Sequence, residues 1–182
     1  SDTAAAWEPV PASGVWGGHN QYVAFWTKAE IPSSFQGKPV EFTLKTGKEG
    51  EWDATNPQFT VHIDGKLRQG FDVNHRELTV TDCAQENECH HIFLSAFTGV
   101  QNFHLLFQPL LRTVDRQGEE FYYDLLVPFQ TVCLLEETDV TYLDLLGVLN
   151  QAVNLLDLRK PGSDAFYRSL MEAEKYLKEK IY

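Results

Sequence analysis

Three cysteines in 182 residues are too few, and too odd in number, to staple a domain. Cys83, Cys89 and Cys133 therefore read as free thiols of a reducing compartment, the cytoplasm. Long apolar runs are missing too. None approaches the roughly 18–20 residues that a membrane helix needs. The opening SDTAAAWEPVPASG has no basic segment followed by an apolar one, so it lacks the pattern of a secretory leader. Basic residues are scarce, 15 against 26 acidic, and the formal net charge of −11 repels phosphate backbones and anionic membranes. Neither nucleic acid nor a membrane is an expected partner. A glycine-rich phosphate loop is absent, because WGGHN is not G-x-G-x-x-G and no helix pattern follows it. No Ser-His-Asp or Cys-His constellation can be picked out.

What is present is an ordinary folding composition, 43% hydrophobic and 23% charged, on a chain long enough to bury a core. Residues 20–136 carry alternating, β-branched and aromatic runs broken by Gly, Pro, Asn and Asp. QYVAFWTKAEI ends at Pro32 and has two fairly apolar faces; PVEFTLKT alternates cleanly, as a half-buried strand does. QFTVHI meets Asp64-Gly65, a tight-turn signal, and KLRQGF returns as its hairpin partner. ELTVTD, CHHIFLSAFTG, FHLLFQPLLRTVD and EFYYDLLVPFQTVCLLEE continue the series. Seven or eight evenly spaced strands predict a mostly β fold, an antiparallel jelly-roll-like β-sandwich over residues 15–137, after an extended or disordered segment 1–14. Over 138–182 the period changes to that of a helix. Asp139 stands at one helix start and Ser163 caps a second, predicting a C-terminal helical hairpin. No Gly, Asn or Pro stop follows YLKEKIY, the pattern of a chain that leads on toward a further domain.

Several polar groupings invite a chemical reading. His62 and Asp64 are two apart on a strand and share a face, so they could join in a metal site; but aspartate is explained by the turn, and no third ligand stands at a defined spacing. Cys83-x5-Cys89-His90-His91 has zinc-ligand residue types, yet the spacing is wider than a finger's and no second pair matches it. Asp72, Asn74 and His75 tie a loop as Asx turns do, or form a polar site at the sandwich end. Glu49, Glu51, Asp53 and Asp64 offer paired carboxylates of the kind glycosidic chemistry uses, on a chain acidic enough to explain them as solvated charge. Trp26, inside a strand, reads as core. Trp16 and Trp52, beside Gly-rich loops, are the candidates for an exposed sugar contact. No residue is assigned as catalytic or as a metal ligand.

The runs VWGGHNQYVAFWTKAEIP, GKPVEFTLKTG and EGEWDATNPQFTVHIDGKLRQGFDVNHREL resemble the N-terminal β-domain of glycoside hydrolase family 38 α-mannosidases, of the bacterial and cytosolic branch. Trp52 to Glu77 is the most specific part, and the likeness runs through YDLLVPFQTVCLLEETDVTYLDLLGVLNQAVNLLD. The resemblance implies a jelly roll followed by helices leading to a catalytic barrel of the same polypeptide, with a homo-oligomer built through the parent enzyme. It implies a zinc ion and an aspartate nucleophile, both in that barrel, whose motif looks like G-H-x-H-I-D. His62-Ile63-Asp64 lacks the preceding Gly-His, so no zinc ligand carries over and no cofactor is expected on this chain. The function implied is that of a non-catalytic domain of a retaining α-mannosidase, which packs against the barrel and shapes the site entrance. A carbohydrate-binding module acting through loop aromatics is the alternative. Candidate loop, interface or sugar contacts are Trp16, Trp52, Asp53, Asp72, Asn74 and His75.

Overall fold

The computed structural model describes residues 7–10, 14–51 and 56–182. Trp52 and Asp53 lie outside the described residues. The chain divides after Val114 into two units.

The first unit holds eight strands: β1 (Gly14–Gly18), β2 (Tyr22–Glu30), β3 (Val40–Lys45), β4 (Gln58–Ile63), β5 (Lys66–Phe71), β6 (Glu77–Thr81), β7 (Cys89–Phe97) and β8 (Phe103–Thr113). They form two four-stranded antiparallel sheets, ordered β1-β8-β3-β6 and β2-β7-β4-β5. This interleaving of distant strands is the jelly-roll arrangement. Among the described strands only β4 and β5 are consecutive in sequence and paired, through the Asp64-Gly65 turn, where both residues have positive φ.

Period-two alternation decides what lies between the sheets. Phe25 of β2 stacks on Phe107 of β8 with ring centroids 3.9 Å apart. Val61, Ile92 and Leu94 are buried around them. β3 departs from the half-buried expectation: Val40 to Leu44 are all buried, Glu41 and Thr43 included. Arg112 of β8 answers the Glu41 charge at 3.1 Å and also reaches Glu77 of β6 at 2.8 Å, so one guanidinium crosses three strands.

The sandwich ends at Thr113 rather than at 137, because EFYYDLLVPFQTV is a helix and not a ninth strand. The second unit consists of α1 (Arg116–Val132), α2 (Val140–Leu155) and α3 (Asp164–Lys180), three helices in place of the expected hairpin. Each start is capped: Asp115 accepts from Gly118 N, Asp139 from Thr141 N and Ser163 from Phe166 N. Phe121 and Val132 of α1, Leu149 and Ala152 of α2, and Leu170 and Leu177 of α3 form the shared core. Pro128 has no N–H to give the Asp124 carbonyl one turn back. The Tyr182 hydroxyl donates to that carbonyl at 3.5 Å instead. No helix is long and apolar enough to cross a membrane among the described residues.

Candidate functional site

Asp64, at the tip of the β4–β5 hairpin, reaches the start of β7. Its Oδ1 accepts from His91 N at 2.9 Å, and its Oδ2 lies 2.7 Å from His90 Nδ1. His90 Nε2 faces Glu88 Oε1 at 2.9 Å, so the imidazole sits between two carboxylates. Burial alone would lower the His90 pKa, but the bonds to Asp64 and Glu88 outweigh it and the net shift is upward. The His90 bond holds Asp64 below its ordinary value, and the Gln85 backbone N–H does the same for Glu88, with help from His90. This clamp uses both oxygens of Asp64. His62 lies apart from it on the outer sheet face, edge-on to Phe93 at 5.8 Å, with Nδ1 buried and unpartnered. The sequence pair is therefore not brought together. Cys83 and Cys89 are exposed free thiols, and His91 stacks on Trp26. Among the described residues no group of three His, Cys, Asp or Glu side chains is placed to hold a metal ion.

The Asp72–His75 loop closes on itself. Asp72 Oδ1 accepts from Asn74 N at 2.7 Å and His75 N at 2.6 Å, and Asp72 N donates to His75 O. His75 Nδ1 lies 3.0 Å from Asp72 Oδ2. Desolvation raises the Asp72 pKa, but these bonds outweigh it and the net shift is downward. The three residues stand together as an Asx turn, with Asp72 spent on the loop's own backbone. Glu49 does similar work, accepting from Thr46 N and Gly47 N. The glycines of WGGHN have a backbone reason: Gly17 has φ +137°, and a Cβ there would stand 2.1 Å from Phe103 O.

For Trp16 and Trp26 the expectations are exchanged. Trp16 turns inward, packing on Phe25 and Phe59, and its Nε1 donates to Leu106 O at 3.2 Å. Trp26 stands outside, half exposed. Both faces of β2 are largely apolar, and Lys28 and Glu30 at the end of the even-numbered set are the sequence sign that this set faces out.

That outer face of β2-β7-β4-β5 is ordered by register. Tyr22 pairs with Phe97, and Gln58 follows on β4. The next outward row is Ala24, Ser95, Thr60 and Gly70. The row beyond is Trp26, Phe93 and His62, with Leu67 on β5. Large side chains thus flank a floor of small ones. Tyr22, 77% exposed, stacks on Phe97 at 4.6 Å; Trp26 stacks on His91 at 5.6 Å and meets the Trp7 ring at 6.5 Å. A cavity of about 480 Å³ opens over the floor beside Tyr22 and Phe97, with Asp72 at its far end. An adjoining cleft of about 380 Å³ under residues 7–10 is lined by Ala24 and Trp26 as well as by the inward-facing Phe25, Leu94 and Phe107.

No family model matches the chain, and no curated protein matches it. Among solved structures, it is similar to two of a family two carbohydrate esterase from Clostridium thermocellum. One is an active-site mutant, with 19% identity over 58% of this chain and a TM-score of 0.31. The other, a complex with cellohexaose, shows 18% identity over 58% of this chain and a TM-score of 0.30. The chain spans 28% and 29% of the length of those two proteins.

Proposed function

We propose that this chain is the non-catalytic β-domain of a zinc-dependent retaining α-mannosidase, packing against the catalytic barrel of the same polypeptide and shaping the entrance to its site. One correspondence carries the reading: a jelly roll followed by helices is the order that the resemblance of residues 15–182 implies. The polar motifs support it. Asp64 and Asp72 hold hairpin and loop, which is what a supporting domain needs of them. The described residues do not fit a zinc site, and the reading assigns the metal to a downstream segment. Three free cysteines suit a cytoplasmic enzyme.

The test has two parts. The coding frame beyond residue 182 is read for a barrel carrying G-H-x-H-I-D, and the long and the 182-residue polypeptides are assayed on an aryl α-mannoside with zinc. The long form is expected to hydrolyse it and the short form not to. A frame without that motif, or zinc-dependent hydrolysis by the short chain, overturns the reading. A second reading, a carbohydrate-binding module, is favoured by the exposed aromatics of the outer sheet face.

A further inference from the structure

We propose that the outer face of the β2-β7-β4-β5 sheet is a binding site for a pyranose oligosaccharide, lying across the strands in the trough floored by Ala24, Ser95, Thr60 and Gly70. The site is carried by the sheet face alone and does not depend on the α-mannosidase reading. It also differs from the loop aromatics singled out by sequence, since Trp16 faces the core.

Three observations lead to this ligand class. The first is the exposed aromatic surface. Cross-strand stacking explains why Tyr22 meets Phe97 and Trp26 meets His91. It does not explain why Tyr22 is 77% exposed and Trp26 50% exposed on one face, each with ring surface left over. The apolar C–H face of a pyranose is a partner for such a ring.

The second is the floor. Between the aromatic rows no side chain is larger than threonine, so the backbone of β7, β4 and β5 is approachable from outside. Tyr22 and Trp26 stand four residues apart on one strand, about 13 Å at the rise of an extended chain. That gap takes a ring lying on the floor with an aromatic bank on each side. The cavity of about 480 Å³ covers the Tyr22 and Phe97 side of this floor, over Ser95, Thr60 and Gly70, while Ala24 and Trp26 line the adjoining cleft under residues 7–10. A ligand that reaches both banks spans more than one ring, which points to an oligosaccharide.

The third is the polar content. The floor and the near bank carry no charge. They offer the Ser95 and Thr60 hydroxyls and the Gln58 amide, which make no hydrogen bond among the described residues. Uncommitted neutral donors and acceptors between aromatic rings suit a neutral polyol. An acyl chain would leave those groups unpaired, and a phosphorylated ligand would find no cation on the floor.

The test is an amide NMR titration of the 182-residue chain with three trisaccharides: α-1,6-linked mannose, β-1,4-linked mannose and β-1,4-linked glucose. Saturable shifts are expected with at least one of them at Tyr22–Trp26, Gln58–Thr60 and Ser95–Phe97. Trp26→Ala and Tyr22→Ala should each weaken binding about tenfold, the equivalent of one good stacking contact. Thr60→Arg, which fills the floor, should abolish it. All three positions are exposed, and unchanged amide dispersion elsewhere verifies folding. No shift with any of the three sugars, shifts on another surface, or binding unchanged in Trp26→Ala overturns the proposal. Binding of the β-linked glucan alone would support this site and count against the α-mannosidase reading.

Discussion

His90 and Asp64, 26 residues apart in sequence, meet at 2.7 Å and fasten the tip of the β4–β5 hairpin to the start of β7. The raised His90 pKa gives the clamp a defined pH dependence. The folded state holds the His90 proton more tightly than the unfolded chain. Its contribution is therefore complete below the ordinary imidazole value of about 6.5 and is lost as the pH rises through the folded value. Asp64 and Glu88 act in the opposite sense. Their contribution is complete above the ordinary carboxylate values of about 4 and is lost as the pH falls through the lowered ones. Melting of the β unit across pH about 5 to about 9 should show Tm falling on the alkaline side, and His90→Gln should flatten that limb. An unchanged limb in the variant would place the dependence elsewhere.

Arg112 pairs with Glu41, whose side chain is 7% exposed. Removing it takes one charge-assisted hydrogen bond from a buried carboxylate. Arg112→Met is expected to destabilise the β unit by about 2 kcal/mol, the range for a lost hydrogen bond to a charged group, because the guanidinium itself is partly exposed. Urea unfolding read by near-ultraviolet circular dichroism checks this, and a change under ~1 kcal/mol would show that Glu41 does not depend on the pair.

Asp72 accepts from two backbone N–H groups of its own loop. Asp72→Ala should cost about 1 kcal/mol, and Asp72→Asn less, because the amide oxygen still accepts. The same denaturation series measures both. Equal losses from the two variants would mean that the charge, not the acceptor, closes the turn.

Gly17 and Gly147 form a matched pair. Gly17→Ala sets a Cβ 2.1 Å from Phe103 O at φ +137° and should cost at least about 2 kcal/mol, loosening β1 from β8. Gly147→Ala lies inside α2 with nothing within 4 Å, and should stabilise the helical unit by up to about 1 kcal/mol. Amide exchange at Leu105, opposite Trp16 on β1, separates the two: faster in the first variant, unchanged in the second.

Strands β2 to β8 were legible because alternation is a local signal, and so were the Asp64-Gly65 turn and the helix starts at Asp139 and Ser163; β1, the short glycine-rich GVWGG, carries no such alternation and was missed. α1 was not. Its aromatics and β-branched residues favour a strand locally and Pro128 disfavours a helix interior, while burial of Phe121, Pro128 and Val132 at helical spacing fixes a helix. Asp115, three residues before Gly118, was the available sign, and it reads equally as a turn. The candidate site was legible in residue type only. β2 is apolar on both faces, so alternation could not say that Trp26 faces out and Phe25 in. The row of Ala24, Ser95, Thr60 and Gly70 exists only once strands remote in sequence are laid side by side.

That remoteness governs how the molecule is made. Gly14 finds its partner at Phe107, and Tyr22 finds its own at Phe97, so only the β4–β5 hairpin can close on local sequence. Pairings so far apart are slow to form, whereas the three helices draw on neighbouring segments. During synthesis β1 and β2 leave the ribosome first and wait, with unpaired edges, for the strands near residue 100. The β unit is therefore the part of this chain whose strand edges stay unpaired longest as it folds.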